Sequence, residues 1–241
     1  MVGIEACATA HYWARLISRA GHEVRLIPPS YVKPYVRRSK TDAADPEAIC
    51  EAVGRPNMRF VPVKSAGQQA ALLQHRARDL LVRQRTMLIN ALRGHLAEFG
   101  IIAPAGRHHV ADLLGLLQEA DRAEVPALAR KALTTLIAEL HALEQRIQAI
   151  EGMIVREHKA NPASRRLATI PGIGPITASA IAATITDPLA FKSGRELAAW
   201  MGLVPRQHSS GGKQKLGVYR NKATAICADC SQSARHRLCV A

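Results

Sequence analysis

The sequence lacks any run of about 18 apolar residues, the length that a helix needs to cross a membrane. The residues after Met1 also lack the charged segment and the following apolar segment of a secretory signal peptide. We therefore expect a cytoplasmic protein that does not enter a membrane. Its 241 residues are enough to bury a core, as one large domain or as two smaller ones.

Cysteine is scarce and odd in number, since the chain has five. Without a secretory signal, an odd count argues against a disulfide framework. Cys227 and Cys230 have the spacing of half a zinc site or of a redox pair, but no second pair follows and no thioredoxin-type context surrounds them. We therefore expect neither a zinc site nor a redox site.

Acidic residues are also few, because 19 Asp and Glu stand against 33 Lys and Arg and leave a formal net charge of +14. A surface with this charge attracts polyanions. Nucleic acid is the partner that the charge favours, and an anionic membrane surface is the competing one.

Apolar patterning near the N-terminus predicts an α/β domain. An apolar run, a segment with helical spacing and a second apolar run follow one another, as in a β-α-β unit with a parallel sheet. Prolines then indicate a loop or a short broken helix, and from Thr41 an acid-rich first turn predicts a helix that ends at Gly54. The two apolar runs are "VGIEAC" and "HEVRLIP", and the segment with helical spacing between them is "HYWARLISRAG". The segment with the prolines is "PSYVKPYVRRS".

Two long helices are predicted in the middle of the chain, over residues 65–99 and 125–159. The second helix carries apolar residues in steps of three and four, which is the a/d pattern of a coiled coil. This seam packs either on the preceding helix, as an antiparallel hairpin, or on a second copy of the chain, and the sequence leaves both open. Its residues are Leu133, Leu136, Leu140, Leu143, Ile147, Ile150 and Ile154.

The composition changes again near Asn161, where we predict a domain boundary. The stretch "LATIPGIGPITASAIAATI" holds no charged residue, and the residues after it alternate short helical segments with glycine-rich loops. We therefore expect a fold of the α/β plus α class, with an α/β domain, a long helical region and a mainly helical C-terminal domain.

Two aspartates, Asp42 and Asp45, lie one helical turn apart behind a cluster of arginine and lysine. Their Cβ atoms would be about 5–6 Å apart, so the two like charges need a nearby cation. Carboxylate oxygens are ligands for Mg²⁺, and Glu5, at the end of a predicted buried strand, could add a third. Alternatively, both aspartates only complement the dipole at the start of the helix.

A glycine turn in "IPGIGP" contains Gly172 and Gly174 between two apolar helical segments. Backbone amides at such a turn can donate to a phosphate without reading the base sequence. For the turn alone, a tight connection between packed helices is the more frequent explanation. The longer stretch "LATIPGIGPITASAIAA" resembles a helix-hairpin-helix motif, which binds the backbone of DNA or RNA.

A second glycine-rich loop, "RQHSSGGKQK", places two serines among basic side chains. Cations around a serine would stabilise the charge that grows on an attacked phosphate. Most loops of this composition are flexible linkers, which is the competing interpretation. The cations are Arg206, His208, Lys213 and Lys215.

Six stretches, in order along residues 1 to about 217, resemble the DEDD transposase family of bacterial insertion sequences, the recombinases guided by a bridge RNA. Because separate stretches match in order, the resemblance is specific. They are "GIEAC", "HEVRLIPPSYVKPYVRRSKTDAADPEAICEA", "MRFVPVKSAGQQA", "RTMLINALRGHLAEFGI", "IPGIGPITASAIAAT" and "LAAWMGLVPRQHSSGGKQKLG".

The resemblance implies a RuvC-like domain of ribonuclease-H type with four acidic ligands for Mg²⁺, and a transposase domain whose serine attacks DNA. Glu5 matches the second acid, and Asp42 and Asp45 match the third and fourth. Ser210 matches the nucleophile, with Ser209 as the alternative. The implied reaction is strand exchange through a covalent phosphoserine link.

The resemblance also implies partners and domains. The partners would be donor and target DNA, a guide RNA and further copies of the chain, joined through the helical region. We expect a partial RuvC-like domain over residues 1–64, a coiled-coil region over 65–160, a transposase domain over 161–217 and a tail over 218–241.

The chain departs from the family at both ends. The first acid would lie on a strand that precedes Met1, so we expect an N-terminally truncated protein whose three-acid site binds metal weakly. After Gly217 the family continues with a basic helix similar to "GISKxGDRYLRRLL", whereas this chain reads "VYRNKATAICADCSQS". Codons exist for this stretch that encode "GDRYLRRLLAK" in another frame, so we expect a frameshift near Gly217.

These departures leave three interpretations. The chain is an inactive transposase fragment, a non-catalytic nucleic-acid-binding remnant, or a structure-selective nuclease that uses the acids without the serine. The remnant would keep the basic helices and the glycine turn, and it would interfere with an intact transposase by mixed assembly.

Overall fold

The computed structural model describes residues 1–36, 44–102 and 125–201. These residues form two compact units, one from the described parts of Met1–Leu73 and Glu157–Ala241, the other from those of Gln74–Arg156. Helices dominate, with one two-stranded sheet in the described part, which confirms the α/β plus α composition. Across these ranges no helix combines the length and the hydrophobicity needed to cross a bilayer.

The predicted β-α-β unit is confirmed at the N-terminus. Strands β1 (Val2–Glu5) and β2 (Val24–Ile27) are parallel neighbours, and helix α1 (Ala10–Arg19) connects them. Glu5 pairs with Ile27 at the carboxyl end of the sheet. The parallel arrangement therefore leaves Glu5 at the edge where side chains of α/β sheets commonly meet a ligand.

Helices cover both faces of this sheet. Leu26 and Ile27 are adjacent in β2 and fully buried, and adjacent strand residues point to opposite faces. Leu26 packs with Ala10 and Ala14 of α1, whereas Ile27 packs with apolar residues of α3 (Ala44–Val53). Burial of each large side chain contributes about 1.5–3 kcal/mol, so the sheet is held between α1 and α3.

The segment between β2 and α3 begins with a short helix, as the prolines predicted. Helix α2 (Pro29–Val32) is followed by a 3₁₀ turn, Lys33–Tyr35. Val32 is buried in the cluster that lies under α3. Thr41, the predicted start of the next helix, lies outside the described residues.

The two predicted long helices are confirmed as α4 (Ala66–Ala97) and α5 (Ala127–Ala160). Helix α4 begins at a capping box, a reciprocal pair of side-chain hydrogen bonds to orphan backbone amides. The Gln68 N–H donates to Ser65 Oγ at 3.1 Å, and the Ser65 N–H donates to Gln68 Oε1 at 2.9 Å. The helix therefore begins where its own sequence supplies a cap.

Within the second unit, α4 and α5 form an antiparallel hairpin. Arg78, early in α4, pairs with Glu151, late in α5, at 2.7 Å. At the other end of the hairpin, residues of α4 and of the α5 heptad seam form one apolar cluster. The seam therefore packs on the preceding helix at this end, and the hairpin interpretation is confirmed there. The buried residues of the cluster are Ile89, Leu92, Leu96, Ile101, Val125, Leu133 and Leu140.

Short helices follow α5 in the first unit. They are α6 (Pro162–Leu167), α7 (Pro175–Thr184) and α8 (Gly194–Trp200), with a 3₁₀ turn at Pro188–Ala190. Helices α6 and α7 pack against each other. The expected change from long to short helices after Asn161 is therefore present.

Candidate metal and nucleic-acid site

Glu5 lies on the strand face that α3 covers. A Cβ placed on Gly3 would be 3.1 Å from Ile49 Cγ2 and 3.2 Å from Val53 Cβ, so the bare glycine lets α3 approach β1 closely. Side chains two residues apart in a strand share a face. The Glu5 side chain therefore leaves β1 on the same side as this helix contact.

Asp45 lies in the first turn of α3, together with Glu47. Residues four apart on a helix share a face, and Ile49 and Val53 both point at β1. Asp45 precedes Ile49 by one turn, so it lies on the face of α3 that packs against the sheet. The structure thus places Glu5 and Asp45 on the mutually facing sides of two packed elements.

The chemistry of these two side chains fits a hard divalent cation, because Mg²⁺ prefers carboxylate oxygens. Asp42, the third predicted ligand, lies outside the described residues. In the described part of the chain no three or more His, Cys, Asp or Glu residues come together as a metal site. Only two of the three predicted acids, Glu5 and Asp45, lie in the described part of the chain. The three-acid metal site therefore stays a prediction.

The predicted glycine turn connects α6 to α7. Gly172 has φ +86°, a left-handed conformation that costs little for glycine, and Gly174 is the N-cap of α7. No side chain caps this helix, and Pro175 occupies its first position. Two short packed helices joined by such a turn have the arrangement that the sequence predicted.

Sequence reasoning gave no role to the basic residues that precede the turn. Arg165 and Arg166 form the last turn of α6, and Lys159 forms the last turn of α5. All three are exposed, and none of them pairs with an acid in the described ranges. Their positions just before Gly172 were the signal that could have identified them.

A polar contact fixes the angle between α5 and α6. His158 Nδ1 and Ser164 Oγ lie 2.8 Å apart, and Ser164 is fully buried. Asn161 caps α6 by accepting a hydrogen bond from the Ser164 N–H at 3.1 Å. Because a phosphate could not reach a fully buried hydroxyl, Ser164 is not a candidate nucleophile, and its contacts connect the end of α5 to α6.

An ion pair joins distant parts of the first unit. Arg59 Nη1 lies 3.0 Å from Glu196 Oε1, and the Lys192 N–H donates to Glu196 Oε2 at 2.8 Å. The Arg59 side chain is 73% exposed, so solvent screening limits the pair to at most about 1 kcal/mol. The pair therefore connects α8 to the segment around Arg59 but adds little to the stability of the unit.

The remaining predicted site residues lie outside the described residues. They belong to the serine-glycine loop and its cations. They are Arg206, Ser209, Ser210, Lys213 and Lys215.

Two models of known protein families match the chain. The model described as "Transposase IS116/IS110/IS902 family" matches residues 164–225. A model of IS110-type DEDD transposases, described as "Transposase", matches residues 1–101. The first of these ranges covers the glycine turn, and the second covers both described acids.

Curated relatives with high identity are also described as transposases. A "Probable family 20 transposase" of Pseudomonas aeruginosa is 51% identical over 90% of this chain and 64% of its own length. A "Putative transposase y4pF/y4sB" of Sinorhizobium fredii is 48% identical over 90% of the chain and 56% of its own length. A "Transposase for insertion sequence element IS1328" of Yersinia enterocolitica is 42% identical over 90% and 64%. The matched part of the chain thus spans less than two thirds of each relative's own length.

Proposed function

We propose that this chain, which belongs to the IS116/IS110/IS902 family of insertion-sequence transposases, is part of a DNA recombinase that cuts and joins strands at a metal-bound phosphate. The observation that carries the proposal is the placement of Glu5 and Asp45 on facing sides of the β1–α3 contact. The basic balance of the chain supports a nucleic-acid substrate, because a charge of +14 attracts polyanions.

The proposed metal ligands are Glu5, Asp42 and Asp45, with Mg²⁺ as the ion. When bound, Mg²⁺ would neutralise charge on the scissile phosphate. The acids supply hard oxygens, and the close approach of α3 to β1 keeps two of them on one side of the sheet. A RuvC-like fold for this part is proposed from the family and from the parallel β-α-β unit.

Ser210 is the proposed nucleophile, with Ser209 as the alternative. Its Oγ attacks phosphorus, a serine–phosphate bond forms, and the bond from phosphorus to one deoxyribose oxygen breaks. The serine proton is lost to solvent or a base, and the departing oxygen takes up a proton. Arg206, Lys213 and Lys215 are proposed to bind neighbouring phosphates and to stabilise the charge of the transition state.

The turn at Gly172 and Gly174 is proposed as a helix-hairpin-helix element that binds the sugar-phosphate backbone. Its exposed neighbours Arg165 and Arg166 would add charge-assisted contacts to phosphates. Donor and target DNA are the proposed substrates, and a guide RNA is proposed by family membership. A cytoplasmic location follows from these partners.

A covalent adduct tests this function. If the chain keeps the activity of its family, incubation with insertion-end DNA and Mg²⁺ gives a protein–DNA species that survives denaturing electrophoresis, whereas an inactive fragment gives none. Ser210→Ala should abolish it, and Ser209→Ala, the matched control, should retain it. Adduct formation that survives Ser210→Ala and is lost in Ser209→Ala would move the nucleophile to Ser209.

The same assay separates the two competing functions. Cleavage that survives Ser210→Ala but is lost with Asp42→Ala would identify a structure-selective nuclease. Binding that weakens steeply with salt and never gives cleavage or an adduct would identify a nucleic-acid-binding remnant, the reading that the net charge alone favours.

A further inference from the structure

The solvent face of α1 carries an exposed aromatic pair. Tyr12 and Trp13 are 57% and 36% exposed, and Leu16 beside them is 41% exposed. The two rings meet edge to face, with their centroids 5.4 Å apart. Phe, Trp and Tyr make up only 4% of the chain, so two adjacent rings left in water mark an interaction surface.

The pair lies on the side of α1 that faces away from the sheet. Ala10 and Ala14 are buried against Leu26 of β2, and the two rings lie on the other side of the helix. Neither ring belongs to an apolar cluster of the described residues. The pair therefore adds little to the core and is accessible to a partner.

Arginines line one side of the pair. Arg15 and Arg19 follow Tyr12 by three and seven residues, which places both within a quarter turn of it on the helix. Arg19 is exposed and forms no ion pair within the described ranges. Arg15 Nη1 donates to the Lys64 carbonyl at 2.7 Å, which keeps this guanidinium beside the helix. Helix α1 contains no Asp or Glu, so its solvent face combines flat rings with positive charge.

The pair also lies at the end of the sheet that holds Glu5. Strand β1 ends at Glu5, and α1 begins at Ala10 and runs back along the sheet. Tyr12 and Trp13 are in the first turn of α1, so they lie near the carboxyl edge of the sheet. The rings and the proposed metal ligand thus share one edge.

We propose that Tyr12 and Trp13 form a stacking platform for the bases of an unpaired DNA strand, with Arg15 and Arg19 beside its phosphates. The proposal rests on the proposed recombinase function, because strands that are exchanged must separate from their complements. Every base has a π-face, so stacking on Trp and Tyr tolerates any sequence, while cations bind the backbone. Single-stranded DNA supplies both the flat rings and the negative charge that this face complements.

Binding of the full chain to a labelled oligo(dT) strand of about 16 nucleotides tests the platform by fluorescence anisotropy. Trp13→Ala should raise the dissociation constant about fivefold or more, because it removes the stacking of at least one base. Trp13→Phe should retain most of the binding, since it keeps an aromatic ring. An abasic strand of the same length should bind the wild-type chain and Trp13→Ala equally, and more weakly than oligo(dT) binds the wild type.

Trp200→Ala is the matched control. Trp200 is 45% exposed and meets Phe191 edge to face at 5.6 Å, so it resembles Trp13 in exposure and in its aromatic neighbour. Its replacement should leave binding to oligo(dT) unchanged. In a Trp200→Phe background Trp13 is the one remaining tryptophan, and oligo(dT) but not the abasic strand should quench its emission. Circular dichroism should show equal helicity in all variants.

The arginine side of the face has its own signature. Arg19→Ala should weaken binding to oligo(dT) and to the abasic strand alike, because both carry phosphates. It should also reduce the slope of log affinity against log salt by about 0.7, whereas Trp13→Ala should leave that slope unchanged. A salt slope that Arg19→Ala did not alter would contradict the phosphate contact.

Several outcomes would overturn the platform. They are equal affinity of the wild-type chain for the two strands, an unchanged dissociation constant in Trp13→Ala, and an equal loss in Trp200→Ala. Tighter binding to oligo(rU) than to oligo(dT), lost in Trp13→Ala, would assign the face to RNA and overturn the choice of DNA. A Trp13→Ala variant that binds DNA normally but sediments differently would identify a protein contact instead.

The platform and the recombinase function fail separately. A missing covalent adduct with base-dependent binding intact would count against the proposed nucleophile and leave the platform standing. A normal adduct from a Trp13→Ala variant with unchanged binding would refute the platform and leave the recombinase function standing.

Discussion

Replacing Gly3 by alanine tests the contact that brings the two acids to one side of the sheet. The new Cβ would lie 3.1 Å from Ile49 Cγ2 and 3.2 Å from both Val53 Cβ and Val53 Cγ2. Ile49 Cγ2 could move by rotation, but Val53 Cβ is fixed to the backbone. Helix α3 must therefore shift, and overpacking of this kind costs about 1–3 kcal/mol.

An opposing effect sets the net magnitude. Alanine restricts the unfolded chain more than glycine does, which stabilises the folded state by about 0.4–1 kcal/mol where the backbone permits it. We therefore expect Gly3→Ala to lower the free energy of unfolding by about 1–2 kcal/mol. Gly94→Ala is the matched control: its Cβ meets nothing within 4 Å in α4, so it should raise stability by about 0.5–1 kcal/mol.

Urea denaturation followed by circular dichroism measures both effects as shifts of the midpoint. A double variant, Gly3→Ala with Val53→Gly, should be less destabilised than the sum of the two single variants, because glycine lacks both the Cβ and the Cγ2 of Val53 that the new methyl group meets. If Gly3→Ala were as stable as the wild type, or if the two changes were additive, the close approach of α3 to β1 would be wrong.

Three further predictions concern stability. Leu140→Ala should lower the free energy of unfolding by about 2–5 kcal/mol because Leu140 is fully buried, whereas Leu128→Ala, at 85% exposure, should have almost no effect in the same urea titration. Burial, and to a lesser degree the charge of Arg78, lowers the pKa of His75 from 6.5 to about 4. Between pH 6.5 and pH 4 the unfolded chain therefore binds a proton at His75 that the folded chain does not bind. The free energy of unfolding should thus decrease by up to about 3 kcal/mol as the pH drops through this range. An equal decrease in a His75→Gln variant would refute this. Asn161→Ala should cost about 1 kcal/mol by removing the cap of α6, measured by thermal unfolding.

Elements set by local patterning could be predicted from the sequence. The parallel β-α-β unit and the two long helices follow from apolar periodicity, and α4 begins at a capping box that is written in residues 65–68. The hairpin of α4 and α5 was one of two open alternatives. Periodicity identifies an apolar seam but not its partner, which only the packed cluster decided.

Features that depend on distant residues could not be predicted. Glycine fits at position 3 because α3 packs closely on β1 there, and the α3 residues in contact lie about 50 positions further along the chain. The pair of Arg59 and Glu196 spans 137 positions. The short contact of His158 with Ser164 needs the bend between α5 and α6, which no propensity encodes.

The candidate site was predicted in part. Sequence spacing selected Asp45 but could not separate a metal ligand from an acid that complements the helix dipole. The packing of α3 on β1 adds that Asp45 and Glu5 share one side of the sheet. The basic residues Arg165 and Arg166 went unassigned because exposed arginines are common in a chain with this charge.

The most direct test of the central claim is Mn²⁺ affinity, measured by electron paramagnetic resonance with Mn²⁺ in place of Mg²⁺. If Glu5 and Asp45 hold one ion, Glu5→Gln and Asp45→Asn should each weaken binding at least about tenfold. Glu47→Gln, in the same first turn of α3, should leave binding unchanged. Equal binding by all these proteins, or equal losses for Asp45→Asn and Glu47→Gln, would contradict a shared metal site.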